Sequence, residues 1–307
     1  MTYPLLGIEI GGTKLQMALG TTSGEIIERR MLAVDVTRGA DGIREQIEVE
    51  VAAWRSSLSF AAVGAGFGGP VNWQTGRIAR SHQVEGWSGF DLKGWLHSIA
   101  GAPASVENDA NTAALGEALR GAGKGFRSVF YVTMGSGVGG GLAVEGAIYH
   151  GAAPGEAEIG HLRLDRQGTI LESVCSGWAV DRCIREMPAS ERSGMLWQLA
   201  GDMQNGQARH LRAALDAGDP AARRILGETV DALAWGFSHV THLFHPDIIV
   251  LGGGLSGIGE PLRSAVQAAL PHLLMDVFKP GPVIALSLLQ EDAVPAGALE
   301  LAARELR

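Results

Sequence analysis

The stretch Gly7-Ile8-Glu9-Ile10-Gly11-Gly12-Thr13-Lys14-Leu15 (GIEIGGTKL) interrupts an apolar, strand-like run with a carboxylate, two glycines, a threonine and a lysine. Two readings fit. Gly11-Gly12 is a hairpin turn, where paired glycines supply positive φ. Alternatively, it is a turn whose bare N–H groups face a phosphate, with Glu9, Thr13 and Lys14 around that phosphate and its metal. Short glycine motifs recur by chance, so this stretch alone leaves both open.

A second stretch of the same type lies downstream. Val132-Thr133-Met134-Gly135-Ser136-Gly137-Val138-Gly139-Gly140-Gly141-Leu142 places five glycines in seven residues between two β-like runs. That density carries an entropic cost, which a close-packed turn or a close ligand must justify. A bulged hairpin explains it structurally; a pair of phosphate-facing loops, with the first turn as partner, explains it chemically. A third, weaker signal is Gly252-Gly253-Gly254 after Pro246–Leu251. It reads as an ordinary strand-to-helix turn or as a flat floor for a nucleotide base or ribose.

Around these turns the pattern is α/β. Strands are expected at Leu5–Ile10, Lys14–Leu19, Glu25–Leu32, Ala61–Phe67, Ser105–Glu107, Ser128–Thr133, Val138–Val144, Asp247–Leu251 and Val283–Leu286. Helices are expected at Gly42–Trp54, Leu92–Ile99, Ala110–Leu119, Gly177–Met187, Gly194–Asp202, Arg209–Ala217, Pro220–Phe244, Pro261–Leu270 and Pro295–Leu306. Two strand–glycine–strand openings, each leading into α/β material, suggest two related domains across a cleft. A single domain with two decorated loops is the alternative. Gly121-Ala122-Gly123-Lys124-Gly125 is the candidate boundary.

Composition narrows the class. The 44 glycines among 307 residues are about twice the ordinary ~7%, which fits a chain with many tight backbone turns. A formal charge of −8 and the absence of any Lys/Arg run argue against a nucleic-acid partner. Cys175 and Cys183 cannot make a disulfide framework or a structural zinc site by themselves, and read as packing residues in a reducing compartment. No segment has the ~18 apolar residues of a membrane span, and the N-terminus lacks the pattern of a signal peptide. The expectation is a cytoplasmic protein with no membrane partner.

Two polar clusters remain. In Glu107-Asn108-Asp109-Ala110-Asn111 a strand ends and a helix begins. Asp109 there is either a helix N-cap or a carboxylate placed to take a proton from a substrate hydroxyl, with Asn108 holding that hydroxyl. Glu156, Glu158 and His161 in Gly155–His161, with Glu172 beyond, form a loop cluster suited to metal binding, acid–base pairing or a polyol. For Glu156 a solvated loop position is the expectation.

Seven stretches, in this order, resemble the ROK (repressor, open reading frame, kinase) family of bacterial sugar kinases and repressors: GIEIGGTK, GFGGPVNWQTG, ENDANTAALGE, TMGSGVGGGL, AEIGH, IIVLGGGLS and EDAVPAGALELA. The resemblance implies a two-domain actin-like, hexokinase-like (ribonuclease H-like) α/β fold with a ligand cleft. It would comprise residues 1–120 with 294–307, and 121–293, the last helix returning to the N-terminal domain. Family repressors carry a helix-turn-helix ahead of the first strand; that strand begins near residue 1 here, so the kinase branch is expected, as a homodimer.

The resemblance also implies roles. Asp109 matches the general base that deprotonates the primary hydroxyl of a hexose as it attacks the γ-phosphate of ATP. Gly69, Asn108, Asp109, Glu158, His161 and Glu172 match the sugar contacts. Gly11, Gly12, Thr13, Lys14, Gly135, Ser136, Gly137, Gly253 and Gly254 match the nucleotide and phosphate contacts, with Mg2+ reached by Glu9 through water.

Glucose is the default sugar, with fructose, mannose, allose or an N-acetylhexosamine open. Two other classes compete: a non-catalytic sugar sensor, which would not need Asp109, and an actin-like ATPase, which would not need Glu158, His161 and Glu172. Two departures from the family stand out. Glu9 replaces the usual Asp before the first turn, and no cysteine lies between His161 and Leu171-Glu172, where many members bind zinc. No zinc site is expected.

Overall fold

The computed structural model describes residues 4–307 apart from His82, Gln83, Pro154 and Glu156. Its first half runs β1 (Leu5–Ile10), β2 (Lys14–Gly20), β3 (Ile26–Ala33), α1 (Gly39–Arg55), β4 (Ala62–Phe67), β5 (Val71–Asn72), β6 (Arg77–Ile78), α2 (Leu92–Ala100), β7 (Ala104–Asn108) and α3 (Asp109–Arg120). Then come β8 (Ser128–Met134), β9 (Val138–Val144), β10 (Ala147–Ile148), α4 (Glu172–Cys175), α5 (Gly177–Arg185), α6 (Met195–Ala200) and α7 (Leu211–Asp216). The chain ends with α8 (Pro220–Phe244), β11 (Ile248–Gly252), α9 (Glu260–Ala269), β12 (Val283–Leu286) and α10 (Ala293–Arg304). Two compact units result: Met1–Gly125 with Gly141–Glu156 and Leu289–Arg307, and Phe126–Gly140 with Ala157–Leu288.

Two five-stranded sheets carry the architecture, ordered β3-β2-β1-β4-β7 and β10-β9-β8-β11-β12. Counted within each sheet, both read third, second, first, fourth, fifth. In both, the first, fourth and fifth strands run parallel. The repeated strand–glycine–strand opening in the sequence is therefore the start of a repeated sheet. A two-stranded ribbon, β5–β6, is set apart from both.

In the first sheet β1 is covered on both faces. Leu6, Ile8 and Ile10 join a core with Ile43, Ile47, Val51 and Trp54 of α1 and with Leu92 and Leu96 of α2. The α1 positions recur at helical spacing, which is why the helix buries that stripe. The opposite face carries Leu5, which packs with Leu299 and Ala302 of α10. Gly7 pairs with Gly64 across β1–β4 on this same face. A Cβ on Gly64 would overlap the carbonyl of Ala298, and one on Gly297 would overlap that of Thr112.

So α10 lies backbone-close against both β4 and α3, and no larger residue fits at those two positions without moving main chain. The glycine excess thus serves close helix–strand and helix–helix packing as well as turns. Glycine inside a strand costs roughly 0.5–1 kcal/mol relative to alanine; that loss is offset by packing that burial of β1 on two sides makes possible.

Most expected elements are present with ends displaced by a few residues. The longest helix, α8, begins where Asp219 accepts from the amides of Ala221 and Ala222 and Pro220 fills the first position. Additional short pieces are β5, β6, β10 and α4, each of two to four residues, too short to show periodicity.

Candidate active site

Asn108 decides how the end of β7 is arranged. It is the N-cap of α3, its Oδ1 accepting from the amides of Ala110 (2.9 Å) and Asn111 (3.1 Å). Its Nδ2 donates to the Gly69 carbonyl at 3.2 Å and to Asp109 Oδ1 at 3.1 Å. The cap position is therefore filled by Asn108, and Asp109 is the first helical residue. Asp109 Oδ1 also accepts from the Ala110 amide at 2.8 Å. A Cβ placed on Gly68 would lie 3.5 Å from Asp109 Oδ2 and 3.6 Å from the Gly11 Cα. The half-buried carboxylate of Asp109 and the first glycine turn thus border the same small space.

That turn is a hairpin: β1 and β2 pair antiparallel, and Gly11 N–H donates to the Lys14 carbonyl at 3.0 Å. Neither Gly11 nor Gly12 has positive φ, so left-handed backbone is not the reason for glycine there. Hairpin geometry and exposed backbone coexist in one turn. Thr13 is exposed at its tip.

Glu9 lies on the α10-facing side of β1, directly across from Gln16. Lys14 Nζ stands 3.5 Å from Glu9 Oε2, too long for a strong hydrogen bond. That oxygen is buried and has no hydrogen-bond partner among the described residues. Burial pushes the Glu9 carboxyl up to about 7; the charge of Lys14 opposes this, and the negative charges of Asp109 and Glu291 add to it. A buried, orphaned acceptor beside a glycine turn fits a Mg2+ ion carried in with a nucleotide, since Mg2+ takes one or two carboxylates and keeps its waters.

The second unit assembles its residues on Val138. Glu172 opens α4, and its Oε2 accepts from the Val138 amide at 2.9 Å. A Cβ on Gly137 would collide with that carboxylate, and one on Gly160 would collide with the Val138 carbonyl. Gly160 sits between Glu158 and His161 in a tight helical turn, Ile159–His161. One strand residue therefore positions both the Glu158–His161 turn and Glu172. Ala157, just before Glu158, has φ 56°, a strained value for a residue with a side chain. Glu158 and His161 are exposed. Glu156 lies outside the described residues.

His161 and Glu172 are linked through a hairpin. Leu164 N–H donates to Thr169 O, Arg163 bridges Ile170, and Leu171 N–H donates to Leu162 O. Asp165 closes the tip by accepting from the amides of Gly168 (2.8 Å) and Thr169 (3.0 Å). Hydrogen bonds from Thr169, its hydroxyl first, hold the Asp165 carboxyl below its ordinary range. Zinc does not fit here. The hairpin contains no cysteine, Cys175 is buried with its thiol pushed up to about 12 by burial, and no cluster of three His, Cys, Asp or Glu suited to a metal exists among the described residues. Sequence reading passed over Asp165, although Asp followed three residues later by Gly is a turn signature.

Of the other glycines, Gly135 and Gly254 have no atom within 4 Å of a Cβ position, and neither has positive φ. Among the described residues nothing requires glycine at either. Gly253 differs: φ is +76° and a Cβ would press on the Met134 backbone. Ser136 lies between Gly135 and Gly137, where Gly135 N–H donates to Gly137 O at 2.9 Å.

A family model, the ROK family, matches residues 5–305. This chain belongs to the ROK family. It is 30% identical over 305 residues to a glucokinase of Thermotoga maritima, covering 97% of this chain and 96% of that one. It is 28% identical over 254 residues to a beta-glucoside kinase of Listeria innocua, covering 82% and 83%. The crystal structure of a ROK family glucokinase from Streptomyces griseus, in complex with glucose and AMPPNP, superposes with a TM-score of 0.85 at 28% identity, covering 98% of this chain and 99% of that one. The fold is thus the two-domain actin-like, hexokinase-like α/β fold of ROK members. Among the described residues no helix is long and apolar enough to cross a membrane.

The raised Glu9 carboxyl gives a pH-dependent outcome. Between its ordinary 4.5 and about 7 the folded protein holds a proton that the unfolded chain has released. Wild-type stability therefore falls as pH rises through that window and levels off above it. Glu9→Gln removes the penalty. With no ligand present, its unfolding free energy relative to wild type should rise between pH 5 and pH 8, by up to roughly 3 kcal/mol. A constant difference across that range, measured by urea denaturation, would show that Glu9 titrates as an ordinary carboxyl.

Proposed function

We propose that this ROK member is a cytoplasmic, ATP-dependent kinase acting on the primary hydroxyl of a hexose, with glucose the first substrate. The observation that carries the proposal is the arrangement of Asp109. Asn108 caps the helix, and the Asp109 carboxylate borders the same space as the Gly11 turn. A base and a backbone amide turn on one side of a reacting hydroxyl are what in-line phosphoryl transfer needs. The glucokinase relative and the glucose–AMPPNP complex of the Streptomyces griseus enzyme support glucose and ATP. The beta-glucoside kinase relative leaves room for a substituted glucose.

In this mechanism Asp109 accepts the proton of the sugar hydroxyl as its oxygen attacks the γ-phosphate. Asn108, bonded to both Asp109 and Gly69, keeps the carboxylate and the Gly69 backbone in register beside the sugar. Amides of Gly11, Gly12 and Thr13, with those of Gly135, Ser136 and Gly137, hold phosphate oxygens as charge develops on them. Lys14 adds a positive charge to that turn. Gly253 and Gly254 give the nucleotide a bare backbone floor. Mg2+ bound with ATP would supply neutralisation of phosphate charge, and Glu9 would hold it through water. Glu158, His161 and Glu172 pair with sugar hydroxyls.

Asp109→Asn should retain glucose and nucleotide binding while kcat falls by about 10²–10⁴. Glu172→Ala should weaken glucose binding by roughly tenfold or more, in line with ~1–3 kcal/mol for an unpaired polar group, and leave ATP binding nearly unchanged. Turnover assays with separate calorimetric titrations of sugar and nucleotide check both. Near wild-type kcat in a folded Asp109→Asn protein removes the base, and loss of nucleotide rather than sugar affinity in Glu172→Ala removes the sugar contact.

A homodimer is part of the same proposal. Trp235 and Leu243, eight residues apart on one face of α8, are exposed together with Leu273, Met275 and Val277. The Met275 amide donates to His242 Nε2 at 3.2 Å, which ties that segment to α8. An apolar face of this kind suits a partner surface. Light scattering should give twice the chain mass for wild type and a smaller mass for Leu243→Glu; an unchanged mass would place the contact elsewhere.

A further inference from the structure

We infer that His150 is a positioning residue for the Asp109 site, acting through Glu107 and backed by the ring of Trp73. The inference rests on the kinase reading of Asp109. Glu107 is the residue of β7 just before the Asn108 cap, and only 4% of it is exposed. Its Oε1 accepts from the Asn108 amide at 2.8 Å and from Asn111 Nδ2 at 3.3 Å. Its Oε2 lies 2.5 Å from His150 Nε2. One buried carboxylate thus grips the cap residue and the first turn of α3 with one oxygen, and an imidazole with the other.

His150 is held in turn. Its ring stacks on the indole of Trp73, with centroids 4.2 Å apart and planes 17° from parallel. The Tyr149 amide, one residue earlier, donates to Leu142 O on β9 at 2.7 Å. Trp73 stands in the turn of the β5–β6 ribbon, where Asn72 Oδ1 accepts from the amides of Gln74 and Thr75. That ribbon begins two residues after Gly69, whose carbonyl accepts from Asn108 Nδ2.

The contacts therefore close a circuit: Gly69 to Asn108, Asn108 to Glu107, Glu107 to His150, His150 to Trp73, and along the chain back to Gly69. Asp109 hangs from one corner of it. The side chain of Asn108 already caps the helix, accepting from the amides of Ala110 and Asn111, and a buried carboxylate is among the most costly groups to place beside a cap. Without the imidazole, Glu107 Oε2 would be left buried and unpaired, and the side chain would relieve that by swinging away from Asn108 and Asn111. The displacement would reach Asp109, where an error of about 1 Å in a reacting geometry can lower turnover a hundredfold.

Glucose phosphorylation by wild type, His150→Ala and His150→Gln, with hydrogen exchange at the amides of residues 108–111, tests this. The glutamine amide can still donate to Glu107. His150→Ala should lower kcat at least tenfold with KM for ATP changed by less than twofold, and should speed exchange of the Asn108 amide. His150→Gln should recover most of both. If His150→Ala does not fold, Trp73→Leu serves in its place, and it should lower kcat severalfold at unchanged KM for ATP. Wild-type kcat in His150→Ala, equal impairment of the alanine and glutamine variants, or unchanged exchange at Asn108 would overturn the inference. Absence of hexose phosphorylation by wild type would count against the kinase reading instead, while the exchange measurement would still decide the role of His150.

Discussion

The four hydrogen bonds of the Asn108 side chain determine what its neighbours can do. Both Nδ2 protons and both Oδ1 acceptor positions are engaged, with Gly69, Asp109, Ala110 and Asn111. A helix start needs a cap, and Asp109 is of a residue type that commonly supplies it. Because Asn108 does so instead, Asp109 enters the first turn of α3. The same side chain fixes the Gly69 backbone relative to that carboxylate. The helix cap, the Asp109 carboxylate and the Gly69 backbone are thus one mechanical unit, joined through Asn108 at the end of β7.

A comparable economy operates around Val138. Its amide is bound by Glu172 and its carbonyl lies against Gly160, so the glycine turn before β9 and three candidate sugar ligands share one anchor. Between His161 and Glu172 the chain forms a short backbone ladder closed by Asp165. The hairpin returns the chain to Leu171 beside Leu162, with His161 and Glu172 at its two ends.

Local pattern carried much of the fold. Alternation and apolar runs gave the strands on either side of Gly11 and Gly135, and the long helix was expected from Pro220, where α8 begins. The candidate site was legible where residues are neighbours in sequence, as in Glu107–Asn111 and Gly135–Gly137. Long-range pairing was not. Glu107 and His150 are 43 residues apart, and nothing local distinguishes that histidine from a solvated loop residue. Gly64 falls within an expected strand and Gly297 within an expected helix, and what requires glycine at each is a backbone that passes close in space. The raised carboxyl of Glu9 was equally hidden, since it depends on burial by α10, which arrives almost 300 residues later in the chain.

The central claim is that the Asp109 site moves the γ-phosphoryl group of ATP onto a sugar hydroxyl and not onto water. The most direct measurement is the stoichiometry and position of transfer, from ADP released and sugar phosphate formed in one reaction, with the phosphorylated carbon identified by NMR. The account predicts one glucose phosphate per ADP, with all phosphate on the primary hydroxyl carbon and negligible ADP release when sugar is omitted. ADP release that is indifferent to glucose, or inorganic phosphate as the main product, would contradict it.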